Sequence, residues 1–88
     1  MLWKVVISKR AEKTLAALPK NLRERIMQGI TRLEAGPYQS GLDIKPLAGR
    51  PEWRLRIGSW RVLFQIFNAE IRIIVVSISP RGGAYKNF

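Results

Sequence analysis

Apolar residues at the start of the chain follow two different periods. The segment from Trp3 to Ile7 is rich in β-branched residues and places Trp3, Val5 and Ile7 on one side at period two, which predicts a first strand. Beyond Ser8 apolar residues recur at helical spacing until Pro19 interrupts the pattern. The sequence therefore predicts a short helix over about 9–18 with Ser8 as its N-cap.

A second apolar stripe at helical spacing predicts another helix directly after Pro19. The stripe consists of Leu22, Ile26, Ile30 and Leu33. Asn21 and Glu24 have the spacing of a capping box at its start, and Gly36-Pro37 marks its end. The two helices are expected to form a helical hairpin.

The second half of the chain has the pattern of a sheet. Residues 36–51 are rich in Gly and Pro and predict a long irregular connection over the surface. Three apolar runs follow, separated by two short polar breaks: Trp53 to Ile57, Gly58-Ser59, Trp60 to Phe67, Asn68-Ala69, and Glu70 to Ser79. They predict a three-stranded meander whose first turn is a two-residue hairpin loop of type II′ or I′.

The element order β-α-α-β-β-β predicts an α+β fold. The helical hairpin packs on one face of a small, mostly antiparallel sheet, in a single domain over residues 1–88. No apolar run approaches the roughly 18 residues that a membrane-spanning helix needs, so no membrane partner is expected. Without Cys the chain suits a reducing compartment, and a cytoplasmic location is expected.

Composition narrows the chemistry. The chain has 16 Lys and Arg against 6 Asp and Glu, a formal net charge of +10 that points to a polyanionic partner. It has no Cys and no His, which excludes cysteine nucleophiles, thiolate metal sites and the commonest general base. The spacing of the acidic residues suggests no metal cluster, so neither a metal nor another cofactor is expected.

The basic residues fall into three groups. The first lies on the predicted solvent sides of the helices and is interpreted as an ordinary solvated surface that contributes general electrostatic attraction at most: Lys9, Arg10, Lys13, Lys20, Arg23, Arg25 and Arg32. The other two groups are candidate sites.

The predicted hairpin gathers the second group on one sheet face. With Gly58-Ser59 as a two-residue loop, Arg56 lies directly opposite Arg61, and Arg54 shares their face. Opposed guanidinium groups are mildly destabilising unless an anion such as phosphate lies between them. The alternative is a merely solvated face. The anion-site interpretation requires that the three groups lie together and that acidic neighbours of the same chain do not neutralise them.

The third group follows the last predicted strand. Arg81, Tyr85 and Lys86 come after Pro80, with Gly82-Gly83 between them. Such side chains can bind phosphate and stack on a base. A flexible end whose Tyr85 covers the core is the alternative.

Three stretches together resemble the RelE/ParE superfamily of bacterial toxin–antitoxin toxins: Leu47-Ala48-Gly49, the run from Trp53 to Ile66, and the ending from Pro80 to Lys86. The central run is similar to the family pattern Y-R-L-R-x-G-x-Y-R-V-x-Y-x-I, with Trp in two of the usual Tyr positions. The resemblance spans nearly the whole chain and implies the RelE-like microbial RNase-like fold. The gyrase-poisoning ParE branch shares the central pattern, whereas the ending resembles the RNA-cleaving members and favours the RelE-type mRNA interferase branch.

The resemblance implies the toxin of a type II toxin–antitoxin system, a metal-independent endoribonuclease that cleaves mRNA in the ribosomal A site. The ribose 2′-OH would attack the scissile phosphate. By resemblance the catalytic residues are Arg61, Arg81 and Tyr85. Arg61 contacts the scissile phosphate, Arg81 binds phosphate or assists the leaving group, and Tyr85 stacks on or orients the nucleotide.

Arg54, Arg56 and Lys86 are the expected substrate-binding residues. Arg54 and Arg56 stand where several family members have Lys, and Pro80 stands where a His is frequent. Arginine stays protonated and is a poor general base. The base stays open between Tyr85 and a purely electrostatic mechanism in which the ribosome sets the geometry.

The resemblance also implies partners. These are the ribosome with its mRNA and a cognate acidic antitoxin that covers the sheet or displaces the C-terminal segment. The toxin–antitoxin complex is expected to bind operator DNA through the antitoxin. Two other functions stay open: a ParE-like toxin that inhibits DNA gyrase, and a non-catalytic basic RNA-binding module.

Overall fold

The fold is that of a computed structural model, which describes residues 2–39 and 41–80. The elements in chain order are β1 (Lys4–Ile7), α1 (Lys9–Ala17), α2 (Lys20–Arg32), a 3-10 turn (Leu33–Ala35), β2 (Ile44–Pro46), β3 (Trp53–Ile57), β4 (Trp60–Phe67) and β5 (Arg72–Pro80). They form one five-stranded sheet in the order β1-β5-β4-β3-β2. Strand β1 is parallel to β5, and the other neighbours are antiparallel. The predicted α+β class with two helices on one sheet face is confirmed.

Two of the predicted connections differ in the structure, the one that precedes the meander and the second break within it. The interpretation of 36–51 as wholly irregular is wrong at Ile44–Pro46, where β2 pairs with β3 at the sheet edge. A strand of three residues is too short to show alternation, and Pro46 is tolerated there because an edge strand needs fewer N–H donors. The break at Asn68-Ala69 is a 3-10 turn over Asn68–Glu70, so β5 begins at Arg72 rather than at Glu70.

The starts of the two helices have different causes. Ser8 is the N-cap of α1 as predicted, since its Oγ accepts a hydrogen bond of 3.1 Å from the Ala11 N–H. The capping box predicted for α2 is wrong: Pro19 occupies the N-cap position and no side chain caps the helix. The proline ring holds φ near the helical value, so the chain turns into α2 without an acceptor side chain.

A β-bulge in β5 decides which residues of this strand face the helices. The register passes from Leu63 opposite Ser77 to Phe64 opposite Val75, so Val76 is skipped. The Ser8 hydroxyl donates to the Val76 carbonyl oxygen at 2.8 Å, which gives this carbonyl a partner outside the ladder. The bulge therefore keeps Val75 in the core while turning Ser77 towards the other face.

The core lies between the helices and the inner face of the sheet. Its buried residues are Ala11, Leu15, Ile26, Ile30, Leu33, Leu55, Val62, Phe64, Ile73, Val75 and Ile78. Helix α2 approaches β3 closely at Gly29, where a Cβ would overlap the Ile57 side chain. In the part of the chain with described structure, no helix combines the length and apolarity needed to cross a bilayer.

Candidate anion-binding site

The hairpin of β3 and β4 has the predicted register. Gly58 has a φ of +58° while Ser59 has a negative φ, as in a type II′ turn. Ile57 pairs with Trp60, and Arg56 lies directly opposite Arg61. The predicted register, with Arg56 directly opposite Arg61 at the hairpin end, is confirmed.

The sheet continues this arrangement as two rows of residues on its outer face, the face away from the helices. In one row Arg56 and Arg61 are followed by Ser79 of β5. In the neighbouring row Arg54 lies between Lys45 of β2 and Leu63 of β4. We call the part of the sheet that carries Arg54, Arg56 and Arg61 the arginine face.

Asp43, which directly precedes β2, lies at the edge of the arginine face. Its backbone oxygen accepts a hydrogen bond of 3.0 Å from the Arg56 N–H. Asp43 therefore lies beside Arg56 in the same row of residues, just before the start of β2. Its carboxylate accepts a hydrogen bond of 3.0 Å from Arg54 Nη2, and its Oδ2 lies 3.6 Å from Arg56 Nε. The expectation that acidic neighbours of the same chain leave the arginines alone is therefore wrong for Arg54 and Arg56.

Arg54, Arg56 and Arg61 differ in how much of each side chain is exposed to solvent, and this limits the role that each can have. The Arg54 side chain is only 8% exposed, whereas that of Arg56 is 31% exposed. Arg54 is thus enclosed with a hydrogen-bonded counter-charge, whereas the ion pair between Arg56 and Asp43 is looser. Arg61 is half-buried. The opposed pair Arg56 and Arg61 is the stronger candidate for binding an external anion, and the substrate-binding role of Arg54 stays a prediction.

Asp43 also explains why the opposed pair is tolerated. Like charges directly opposite each other in a sheet destabilise it, and a carboxylate in the same row offsets part of that repulsion. Sequence reasoning missed Asp43 because it lies in a stretch interpreted as irregular. The short β2 strand, which pairs with β3, brings it to Arg54 and Arg56.

We expect Asp43→Ala to lower the free energy of unfolding by about 1–3 kcal/mol, because it leaves the enclosed Arg54 guanidinium without its charged partner. Urea denaturation measures the change. The matched control is Glu70→Ala, since Glu70 pairs with Arg72 at 2.9 Å but both side chains are at least one-third exposed. The control is expected to lose less than about 1 kcal/mol. Equal losses in the two variants would contradict the distinct role of Asp43.

The other predicted residues, Arg81, Tyr85 and Lys86, lie outside the described residues. Strand β5 ends at Pro80, which pairs with Trp60 at the hairpin end of β4. Pro80, the last residue that the structure describes, thus lies one residue along β5 from the partner of Arg61.

The chemistry of the arginine face is that of fixed hydrogen-bond donors. Guanidinium groups on paired strands can hold an anion and stabilise negative charge that develops on it. Within residues 2–39 and 41–80 no group of three acidic side chains is placed to hold a metal ion. These described residues offer strong electrostatic stabilisation, and none of the three arginines is suited to remove a proton.

Known proteins share both the sequence pattern and the architecture. The family model described as the ParE toxin of the type II toxin-antitoxin system, parDE, matches residues 5–85. The chain is 38% identical over 89 residues to the curated RelE1 toxin of Methanocaldococcus jannaschii, covering 99% of each.

Two similar solved structures are complexes. The archaeal RelE-RelB complex from Pyrococcus horikoshii OT3 superposes with a TM-score of 0.80 at 29% identity, covering 94% of this chain and 99% of that chain. The RelB-RelE antitoxin-toxin complex from Methanococcus jannaschii has a TM-score of 0.75 at 25% identity, covering 94% and 98%. The similarity therefore extends over nearly the full length of the chain.

Proposed function

The chain belongs to the RelE/ParE family of type II toxin–antitoxin toxins, and we propose that it is an endoribonuclease that cleaves mRNA in the ribosomal A site. The observation that carries the proposal is the opposed pair of Arg56 and Arg61 on the outer sheet face. Two arginines on directly opposed residues can hold one phosphodiester between them, and the net charge of +10 favours approach to RNA.

The proposed reaction is an attack by the ribose 2′-OH on the adjacent phosphate. The O2′–P bond forms, the P–O5′ bond breaks, and the products are a 2′,3′-cyclic phosphate and a 5′-OH end. The phosphorus passes through a pentacoordinate arrangement with increased charge on its non-bridging oxygens. Arg61 donates to these oxygens, and Arg56 holds the same phosphate from the opposite strand.

Proton transfer is assigned by chemistry to the C-terminal segment. Tyr85, in its phenolate form, is the proposed acceptor of the 2′-OH proton. Water is proposed to supply the proton to the leaving 5′-oxygen, while Arg81 stabilises the negative charge that develops on that oxygen. Lys86 is proposed to contact a neighbouring phosphate. No step of this proposal requires a metal ion or another cofactor.

The proposed partners follow from the family and from charge. Two similar solved structures contain RelE together with RelB, which supports a cognate antitoxin for this chain. We propose that this antitoxin is acidic, because it must neutralise a basic toxin, and that it binds operator DNA within the complex. A cytoplasmic location is part of the proposal, because the proposed substrate is mRNA on the ribosome.

The test is to map RNA ends after inducing the protein in cells, using primer extension. Codon-phased cuts within translated messages support the proposal. With purified ribosomes, a message carrying a single 2′-deoxynucleotide at the scissile position must resist cleavage, while the all-ribose message is cut. Cleavage of the deoxy-substituted message at the same bond would rule out the 2′-OH mechanism.

A second candidate function is inhibition of DNA gyrase, because the family model that matches the chain is that of ParE toxins. This function does not need a phosphodiester on the arginine face. Intact messages together with DNA-damage signalling after induction would support it and contradict the nuclease proposal.

A further inference from the structure

A groove lies beside the arginine face, between α2 and the segment that leads into β2. It has a volume of about 270 Å³, and the residues that matter for its chemistry are Arg25, Gln28, Arg32, Asp43 and Arg56. We call it the α2–β3 groove. Arg56 lines the groove and is also part of the arginine face, so the two surfaces are continuous.

The two helical arginines lie at opposite ends of the groove. Arg25 and Arg32 are seven residues apart in α2, which places them on the same helix face about 10.5 Å apart along its axis. Arg25 lies against the hairpin turn, since a Cβ on Gly58 would be 3.3 Å from its Nη2. Arg32 lies against Gly41, where the corresponding distance is 3.5 Å.

The groove is positively charged. Its lining residues include three arginines, Arg25, Arg32 and Arg56, and one acidic residue, Asp43, whose carboxylate already pairs with Arg54 and Arg56. Among the ion pairs of the described residues, none includes Arg25 or Arg32. The interpretation of these two residues as ordinary solvated positions therefore overlooked a concave surface that only the packing of α2 on β3 creates.

We propose that the α2–β3 groove binds the RNA backbone next to the nucleotide held at Arg56 and Arg61. This inference rests on the proposed nuclease function and adds a path for the strand. RNA that leaves the arginine face would reach the groove at Arg56, the residue that belongs to both surfaces. Guanidinium groups match phosphate oxygens in geometry.

The test measures the salt dependence of binding to a fluorescent single-stranded RNA of ten nucleotides by anisotropy. Each phosphate contact in a single strand contributes about 0.7 to the slope of log K against log salt concentration. We expect R25A/R32A to reduce the slope by about 1.4 and to weaken binding at low salt. The matched control is K9A/K13A, which removes the same charge from the exposed side of α1 and is expected to leave the slope unchanged.

Three outcomes would overturn the groove proposal. The first is an equal reduction in both double variants, which indicates general attraction only. The second is an unchanged slope in R25A/R32A or no measurable binding of this RNA by the wild-type protein. The third is unchanged RNA binding combined with weaker binding of the antitoxin, which assigns the groove to an acidic peptide segment.

The variant R25Q/R32Q keeps the polarity of the groove and guards against a folding defect. It should reproduce the reduced slope with a normal urea unfolding curve.

Failure of the groove and failure of the nuclease proposal are distinguishable. Ribosome-dependent cleavage by the wild-type protein together with an unchanged slope in R25A/R32A contradicts only the proposal that the groove binds RNA. A reduced slope in R25A/R32A together with intact messages contradicts the nuclease proposal but supports RNA binding by the groove.

Discussion

Arg61→Ala is expected to reduce ribosome-dependent cleavage by about 100- to 1000-fold, the effect of removing one preorganised donor from developing negative charge. The same change should leave the fold intact. Because it removes one of two like charges that lie directly opposite each other, the free energy of unfolding should change by less than about 1 kcal/mol. An activity loss without a stability loss distinguishes a catalytic side chain from a structural one.

The measurement is single-turnover cleavage of a message on purified ribosomes, paired with urea denaturation. Arg72→Ala is the matched control, because Arg72 lies at the other end of the β4–β5 ladder, opposite Phe67. That position is six residues from Arg61 along β4, about 20 Å away, and the control should cleave within a few-fold of the wild type. Arg61→Lys keeps the positive charge but lacks the forked donors of a guanidinium group. Its cleavage rate should lie between those of Arg61→Ala and the wild type. Wild-type cleavage by Arg61→Ala would show that the active site is misplaced.

Phe64→Ala is expected to lower the free energy of unfolding by about 3–5 kcal/mol, because it opens a cavity in the core. Phe64 is completely buried in β4, where it lies opposite Trp53 of β3 and Val75 of β5. A chain of this length has a total stability of about 4–13 kcal/mol. The variant should therefore lose a large part of its stability and show a much lower urea midpoint.

The control for this prediction is Phe67→Ala in the same strand. Phe67 is only half-buried, and the Arg72 guanidinium lies over its ring, 5.3 Å from the centroid. Its loss should cost less than half as much as the loss of Phe64. A smaller effect for Phe64→Ala than for Phe67→Ala would contradict the packing of the core between the helices and the inner sheet face.

The ion pairs of Asp43 change what the arginine face can do. The chain itself supplies one anion to a cluster of three guanidinium groups and holds Arg54 with it. Arg54 and Asp43 then act as a positioning pair under the proposed mechanism, since Asp43 also binds the Arg56 backbone. The contact with the scissile phosphate is left to Arg56 and Arg61, on neighbouring strands.

The sequence predicted those features whose causes lie within a few residues of one another. The turn at Gly58 joins two strands through a two-residue loop, and the length of that loop alone places Arg56 opposite Arg61. Ser8 caps α1 because its side chain reaches an N–H three residues away. The apolar spacing within each helix and strand likewise determined which sides form the core.

Only the tertiary structure decided the features that depend on distant segments. Asp43 reaches Arg54 because β2 joins the sheet edge, and Ser77 leaves the inner face because Val76 is skipped in the ladder. The α2–β3 groove exists because α2 approaches β3 at Gly29. In each case the deciding contact joins segments that are far apart in the chain. The hydrophobic periodicity of each segment shows which of its sides is apolar, but it does not show which distant segment will pack against it. Such contacts therefore form only when the helices and strands pack together.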